Sequence, residues 1–267
     1  MFWALAKGKI PLEDFDIEHI VEDIESLNRR AFKTELEVTA LSCHALGLLA
    51  DRYQLIPYGA SVGENYGPIV VSRKGTAPDS LRGKRIAVPG RYTTAYLVLR
   101  LYEKDFEPVF TPFDKIFSVL ERGEADFGLL IHEGQLTYRE LGFEKIVDLG
   151  EWWFRQFSLP LPLGVNAIRR DLPEETKAGF NRVFLKSIEH AMAHREEALC
   201  YALEFGRGID PKRGDRFVGM YVNDFSLELG ERGMEGLRTL FELGWKNKIF
   251  PAPVRFEVSP SLTQKSS

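Results

Sequence analysis

Apolar positions along this chain switch between a period of two and a helical period, and the switches mark its elements. The clearest unit begins at Lys84. Residues 84–90 (KRIAVPG) predict a short strand running into a turn. Thr93-Thr94-Ala95 then opens a helix carrying Leu97, Leu99, Leu101 and Tyr102. Val109-Phe110 predicts a second strand, and residues 115–122 a helix ended by Gly123. Residues 125–133 (ADFGLLIHE) predict a buried strand whose C-terminal end delivers His132 and Glu133. Strand and helix alternating in this order imply a parallel sheet with right-handed crossovers.

The flanks are less regular. Residues 2–7 predict the end of a helix closed by Gly8. Residues 11–25 are acidic, with Ile17, Ile20, Val21 and Ile24 at helix-compatible spacing. Residues 37–41 predict a strand, followed directly by a helix over 42–50 capped by Ser42. Gly59, Gly63 and Gly67 predict a flexible loop ahead of a β-branched strand at 69–73, and residues 75–82 are turn-rich. A strand at 146–149 precedes Trp152-Trp153 and the run 159–164 (LPLPLG), read as an apolar connection stiffened by proline. Residues 165–169 predict a strand leading out of the unit. Residues 174–204 predict a long helix with a core stripe of Phe180, Val183, Phe184, Ile188, Met192 and Leu199, and residues 234–243 another. The polar tail after Pro260 is expected to fray.

Composition narrows the function classes. The 267 residues carry 35 Lys+Arg against 39 Asp+Glu, a net charge of −4, so no basic footprint points to nucleic acid. No apolar run reaches the ~18–20 residues of a membrane span. No signal peptide is visible, and a cytoplasmic protein is expected. The two cysteines, Cys43 and Cys200, are too isolated for a disulfide framework or a metal knuckle, and no metal spacing appears among the five histidines. No phosphate loop, nucleophile elbow or dinucleotide fingerprint is present, so no cofactor is expected.

Among chemical groups, His132 stands out. The C-terminal end of a buried parallel strand is where open α/β sheets place ligands, and imidazole takes a proton near neutral pH. The same position also suits a capping or core histidine. Thr93 and Thr94 follow Pro89-Gly90 at a helix start, where free N–H groups and hydroxyls suit a carboxylate or phosphate; a plain N-cap is the alternative. Ser42 has the same double reading at a second strand-to-helix turn, which could face the first across a cleft. Cys43 and His44 read as structural. Trp152 and Trp153 suit either a ligand wall or core packing, Asp126 a cap or ion pair, and Arg91 a solvent-facing position.

Six stretches together resemble the 1,4-dihydroxy-6-naphthoate synthases of the futalosine route to menaquinone. They are residues 36–46 (LEVTALSCHAL), 87–97 (AVPGRYTTAYL), 128–138 (GLLIHEGQLTY), 147–153 (VDLGEWW), 159–164 (LPLPLG) and 221–230 (YVNDFSLELG). The resemblance implies the two-lobed α/β fold of type II periplasmic binding proteins. It implies a carbon–carbon lyase that cleaves cyclic dehypoxanthine futalosine, a small-molecule carboxylate, without cofactor. By the same resemblance His132 is the catalytic base, and Leu41, Ser42, Thr93, Thr94 and Ala95 bind substrate. The glycines at 59–67 would flex as the lobes close. The expected division is 1–72 for the first part of lobe 1, 73–167 for an inserted lobe 2, and 168–267 for the return to lobe 1. A chorismate dehydratase of the same pathway and a non-enzymatic carboxylate-binding protein remain as alternatives, and a homodimer stays open. Members of the family begin with a strand and a Ser-Pro-Cys-Pro-Asn-Asp-Thr loop ahead of the helix matching residues 2–8. That strand and loop are expected to be missing here, through a start placed too far downstream or a truncation. A sheet edge would then be open, with lower stability.

Overall fold

Capping side chains, more than apolar periodicity, decide where three helices of the first half begin. The computed structural model describes residues 1–75, 80–132, 134–205 and 210–260. Glu133, part of the turn-rich stretch at 75–82, and the tail after Pro260 lie outside the described residues. Helix α1 (Trp3–Ala6) closes before Gly8 at φ 60°. The helical spacing over 11–25 does not produce a helix. Ile17 packs with Leu5 and Phe180, whereas Val21 is exposed, so these positions share no buried face. Helix α2 (Ile24–Phe32) starts only where the Asp23 carboxylate accepts the N–H groups of Glu25 and Ser26. Strand β1 (Val38–Ser42) then runs straight into α3 (Cys43–Leu49), with Ser42 as N-cap.

The glycines at 59–67 are mostly built into the sheet and do not form a free loop. Strand β2 (Tyr53–Gly63) continues through two of them. Gly59, at φ 74°, sits where β2 shifts register between Ile56 and Ser61, and a Cβ there would lie 2.4 Å from the Asn166 amide. Next come β3 (Ile69–Arg73), β4 (Arg85–Val88), α4 (Thr94–Tyr102) and β5 (Glu107–Phe110). A 3-10 turn at Phe113–Lys115 leads into α5 (Ile116–Glu121), then β6 (Phe127–Leu130), α6 (Gly134–Thr137) and β7 (Phe143–Asp148).

Trp152 and Trp153 lie in a helix, not a connection. Asp148 accepts the N–H groups of Gly150 and Glu151 and starts α7 (Leu149–Phe157). The fully buried Trp153 donates its indole N–H to Pro160 O at 3.2 Å, so it serves the core and not a ligand. Strand β8 (Leu161–Arg169) also begins earlier than the β-branched run at 165 suggested. Pro162, which has no N–H to donate, pairs with Val62 beside the irregularity in β2, where its missing donor is tolerated.

Two sheets result. The first has the order β1-β8-β2, with the late strand β8 antiparallel between the two early ones. The second has the order β5-β4-β6-β3-β7. Strand β4 is parallel to β5 and β6, as the alternation of elements predicts, while β3 runs antiparallel to β6 and β7. The remaining chain is helical: α8 (Glu174–Ala193), α9 (Arg195–Leu203), α10 (Pro211–Tyr221), α11 (Asp224–Leu227) and α12 (Gly230–Lys246). The long helix expected over 174–204 breaks at His194, and only its first part carries buried stripe residues. One apolar cluster joins residues of both sheets, among them Leu41, Leu55 and Val165 from the first and Ile86, Val88 and Phe127 from the second. Among the described residues, no helix is long and apolar enough to cross a membrane.

Candidate active site

The two strand-to-helix turns that stood out in the sequence touch one another directly. Ser42 Oγ donates to the carbonyl of Tyr92 and accepts from Ala45 N at 3.0 Å and Asn28 Nδ2 at 3.3 Å. From the other turn, Thr94 Oγ1 accepts Cys43 N–H at 2.8 Å and donates to Leu163 O at 2.5 Å. Thr93 Oγ1 donates to Gly90 O at 3.1 Å and accepts Tyr96 N at 3.2 Å as the N-cap of α4. Each hydroxyl has one proton. All three protons are therefore directed at main-chain carbonyls, and the Ser42 oxygen is saturated. These hydroxyls join the sheets and fix the turns. The first N–H groups of α4, at Thr94 and Ala95, meet no acceptor among the described residues.

Ser42, Thr93, Thr94 and Ala95 line one cavity of about 240 Å³ together with His132. Leu41 does not line it; its side chain is fully buried in the core. His132 lies two residues past the end of β6, in the left-handed region at φ 62°. That conformation is uncommon for a residue with a Cβ, and here it turns the strand end into α6. The imidazole is flanked by aromatic rings, with Phe113 at 4.6 Å and Phe217 at 6.4 Å between centroids.

The sequence alone did not single out four further groups. Asn28, fully buried on α2, receives Ser42 N–H at 3.1 Å on its amide oxygen and reaches Tyr92 O with its amide nitrogen at 3.4 Å. Nothing in its local pattern marks it, because its partners are distant in the chain. Gln135, Phe217 and Tyr221 also line the cavity. Gln135 and Tyr221 fall in two of the six resembling stretches, which was the available signal.

The neighbouring groups are structural. Burial raises the Cys43 thiol to about 12, with a hydrogen bond to Thr94 opposing it. Burial lowers His44 to about 4, against a hydrogen bond with the Thr93 backbone. Asp126 pairs with Arg85, accepting its N–H at 3.0 Å. The Arg91 guanidinium lies 4.6 Å over the Phe110 ring, in a separate hollow beside Phe113.

A sequence model of a family described as menaquinone biosynthesis matches residues 1–246. The "1,4-dihydroxy-6-naphtoate synthase" of Thermus thermophilus is 39% identical over 241 residues, 90% of this chain and 88% of that protein. A crystal structure of a protein from Archaeoglobus fulgidus is 48% identical with a TM-score of 0.89, covering 93% of each chain. The alkanesulfonate-binding protein SsuA of Xanthomonas axonopodis is 12% identical with a TM-score of 0.63, covering 86% of this chain and 82% of that one. At that identity the likeness is one of fold: a two-lobed, type II periplasmic-binding-protein-like architecture.

Proposed function

This chain belongs to the menaquinone biosynthesis family, and from that premise we propose how its cleft carries out the reaction of a 1,4-dihydroxy-6-naphthoate synthase. The enzyme is a carbon–carbon lyase. It converts cyclic dehypoxanthine futalosine to 1,4-dihydroxy-6-naphthoate with loss of the ribose-derived fragment. The observation that carries the mechanism is the meeting of His132 with the start of α4 in one cavity.

His132 takes the proton of a substrate hydroxyl. The oxygen's electron pair becomes a carbonyl π bond as the adjacent carbon–carbon bond breaks. The released σ pair stays on the departing fragment, which is protonated from the imidazolium. The bicyclic 1,4-diketone left behind tautomerises to the aromatic diol, and this makes the cleavage favourable. Atoms and electrons balance with no oxidant or reductant. The Thr94 and Ala95 N–H groups, at the positive end of α4, hold the substrate carboxylate. The hydroxyls of Ser42, Thr93 and Thr94 keep that helix start in place. Phe113 and Phe217 exclude water from the imidazole.

The two sheets are the basis of the two lobes. Their strands support a first segment of lobe 1 ending near Gly63, lobe 2 between Ile69 and Asp148, and a return beginning at Leu161. We place the enzyme in the cytoplasm, where a biosynthetic step on a small carboxylate belongs. The test is to incubate the protein with cyclic dehypoxanthine futalosine and follow 1,4-dihydroxy-6-naphthoate by chromatography. Formation of that product at a rate proportional to enzyme is expected; its absence with folded protein would remove this reading.

A further inference from the structure

One face of α10 crosses onto the catalytic segment of the second sheet at three points spaced four residues apart. Arg213 Nη2 donates to Glu140 Oε1 at 2.7 Å. Phe217 packs 6.4 Å from the His132 ring. Tyr221 donates its phenol proton to Gln135 Oε1 at 3.0 Å. Spacing of four places these side chains in one row along a helix. Gln135 is itself tied to the catalytic turn, since its N–H donates to His132 O at 3.2 Å.

The amide chemistry makes this row more than packing. With its oxygen accepting from Tyr221, Gln135 keeps both N–H donors of its NH2 group for the cavity that both side chains line. That NH2 meets no acceptor among the described residues. Burial raises the Tyr221 phenol, so it remains a protonated donor and holds the amide in one orientation. The Tyr66 ring at 6.0 Å and the Phe217 ring at 5.1 Å fix the phenol in turn.

We propose that the Gln135 NH2, aimed by Tyr221, binds a neutral oxygen on the departing, hydroxyl-bearing fragment of the substrate beside His132. A neutral donor three residues from the base suits a hydroxyl, whereas the carboxylate belongs to the charged end of α4. Gln135 is then a substrate-binding residue and Tyr221 a positioning residue. The proposal rests on the lyase reading above.

It separates two ligands. The substrate carries the fragment, and 1,4-dihydroxy-6-naphthoate does not. In Gln135→Met, KM for cyclic dehypoxanthine futalosine should rise about 10-fold, the cost of one hydrogen bond, while the Kd of 1,4-dihydroxy-6-naphthoate stays at the wild-type value. Tyr221→Phe, which keeps the ring, should shift KM in the same direction by less and again spare product affinity. Loss of packing alone would weaken both ligands. Equal weakening of substrate and product, or an unchanged KM in active Gln135→Met, would overturn the assignment. If wild-type protein forms no product, the lyase reading fails and this proposal falls with it.

Discussion

Asn28 shows how much a single buried side chain can hold. It is fully buried and hydrogen-bonds both Ser42 and Tyr92, so it connects α2 to the two turns that frame the cavity. Asn28→Ala would leave the buried Ser42 N–H without its acceptor. A loss of about 1–3 kcal/mol in denaturant unfolding is expected. His44 sits on the other side of the same turn and is pushed down to about 4 by burial. The unfolded chain binds a proton there near pH 6.5, and the folded chain does not until about pH 4. The stability His44 contributes is therefore fully present above pH 6.5 and is lost as pH falls through that window, by about 3 kcal/mol in total. Unfolding measured from pH 7 to pH 4 should be steeper in wild type than in His44→Gln. Equal slopes would remove His44 from the pH response.

At the scale of elements, the start of α7 is the tightest junction. A Cβ on Gly150 would lie 2.0 Å from the Tyr66 carbonyl carbon and 2.4 Å from Gly67 N. These are backbone atoms that cannot swing aside, so Gly150→Ala should cost about 3 kcal/mol, read as a lowered unfolding midpoint with unchanged slope. The same junction shows what the sequence could and could not convey. The β4-α4-β5-α5-β6 run was legible because its elements pair or pack with near neighbours, with Thr93 capping the start of α4 and Gly123 following the end of α5. The Gly59–Gly67 stretch misled, because its glycines serve a register shift and close backbone approach, which look like loop signals in one dimension. The start of β8 was hidden by its prolines, and α7 by two tryptophans whose environment is set by distant chain. The site was half legible. His132, Ser42 and the Thr93–Ala95 turn announce themselves at strand ends, and the structure places them on one cavity. Asn28, Phe217 and the Gln135–Tyr221 pair depend on elements brought together only by the fold.

Across the whole molecule, the design is of two sheets sharing one core and a cleft closed at one side by α10. The return strand β8 lies in the middle of the first sheet, so that sheet is completed only by chain that follows the second sheet in sequence. Ser42–Tyr92 and Cys43–Thr94 hydrogen bonds fasten the sheets at the cleft floor, leaving α10 as the element whose contacts with Gln135, His132 and Glu140 close the opposite wall. A binding protein of this fold only needs to close on its ligand; an enzyme needs a proton acceptor in the closed space, and in the proposed mechanism that acceptor is His132, which lines the cavity. The most direct test is to compare wild type with His132→Asn for turnover of cyclic dehypoxanthine futalosine and for affinity toward 1,4-dihydroxy-6-naphthoate. A fall in kcat of at least ~100-fold with product affinity retained is expected. Turnover in His132→Asn close to wild type would contradict the mechanism.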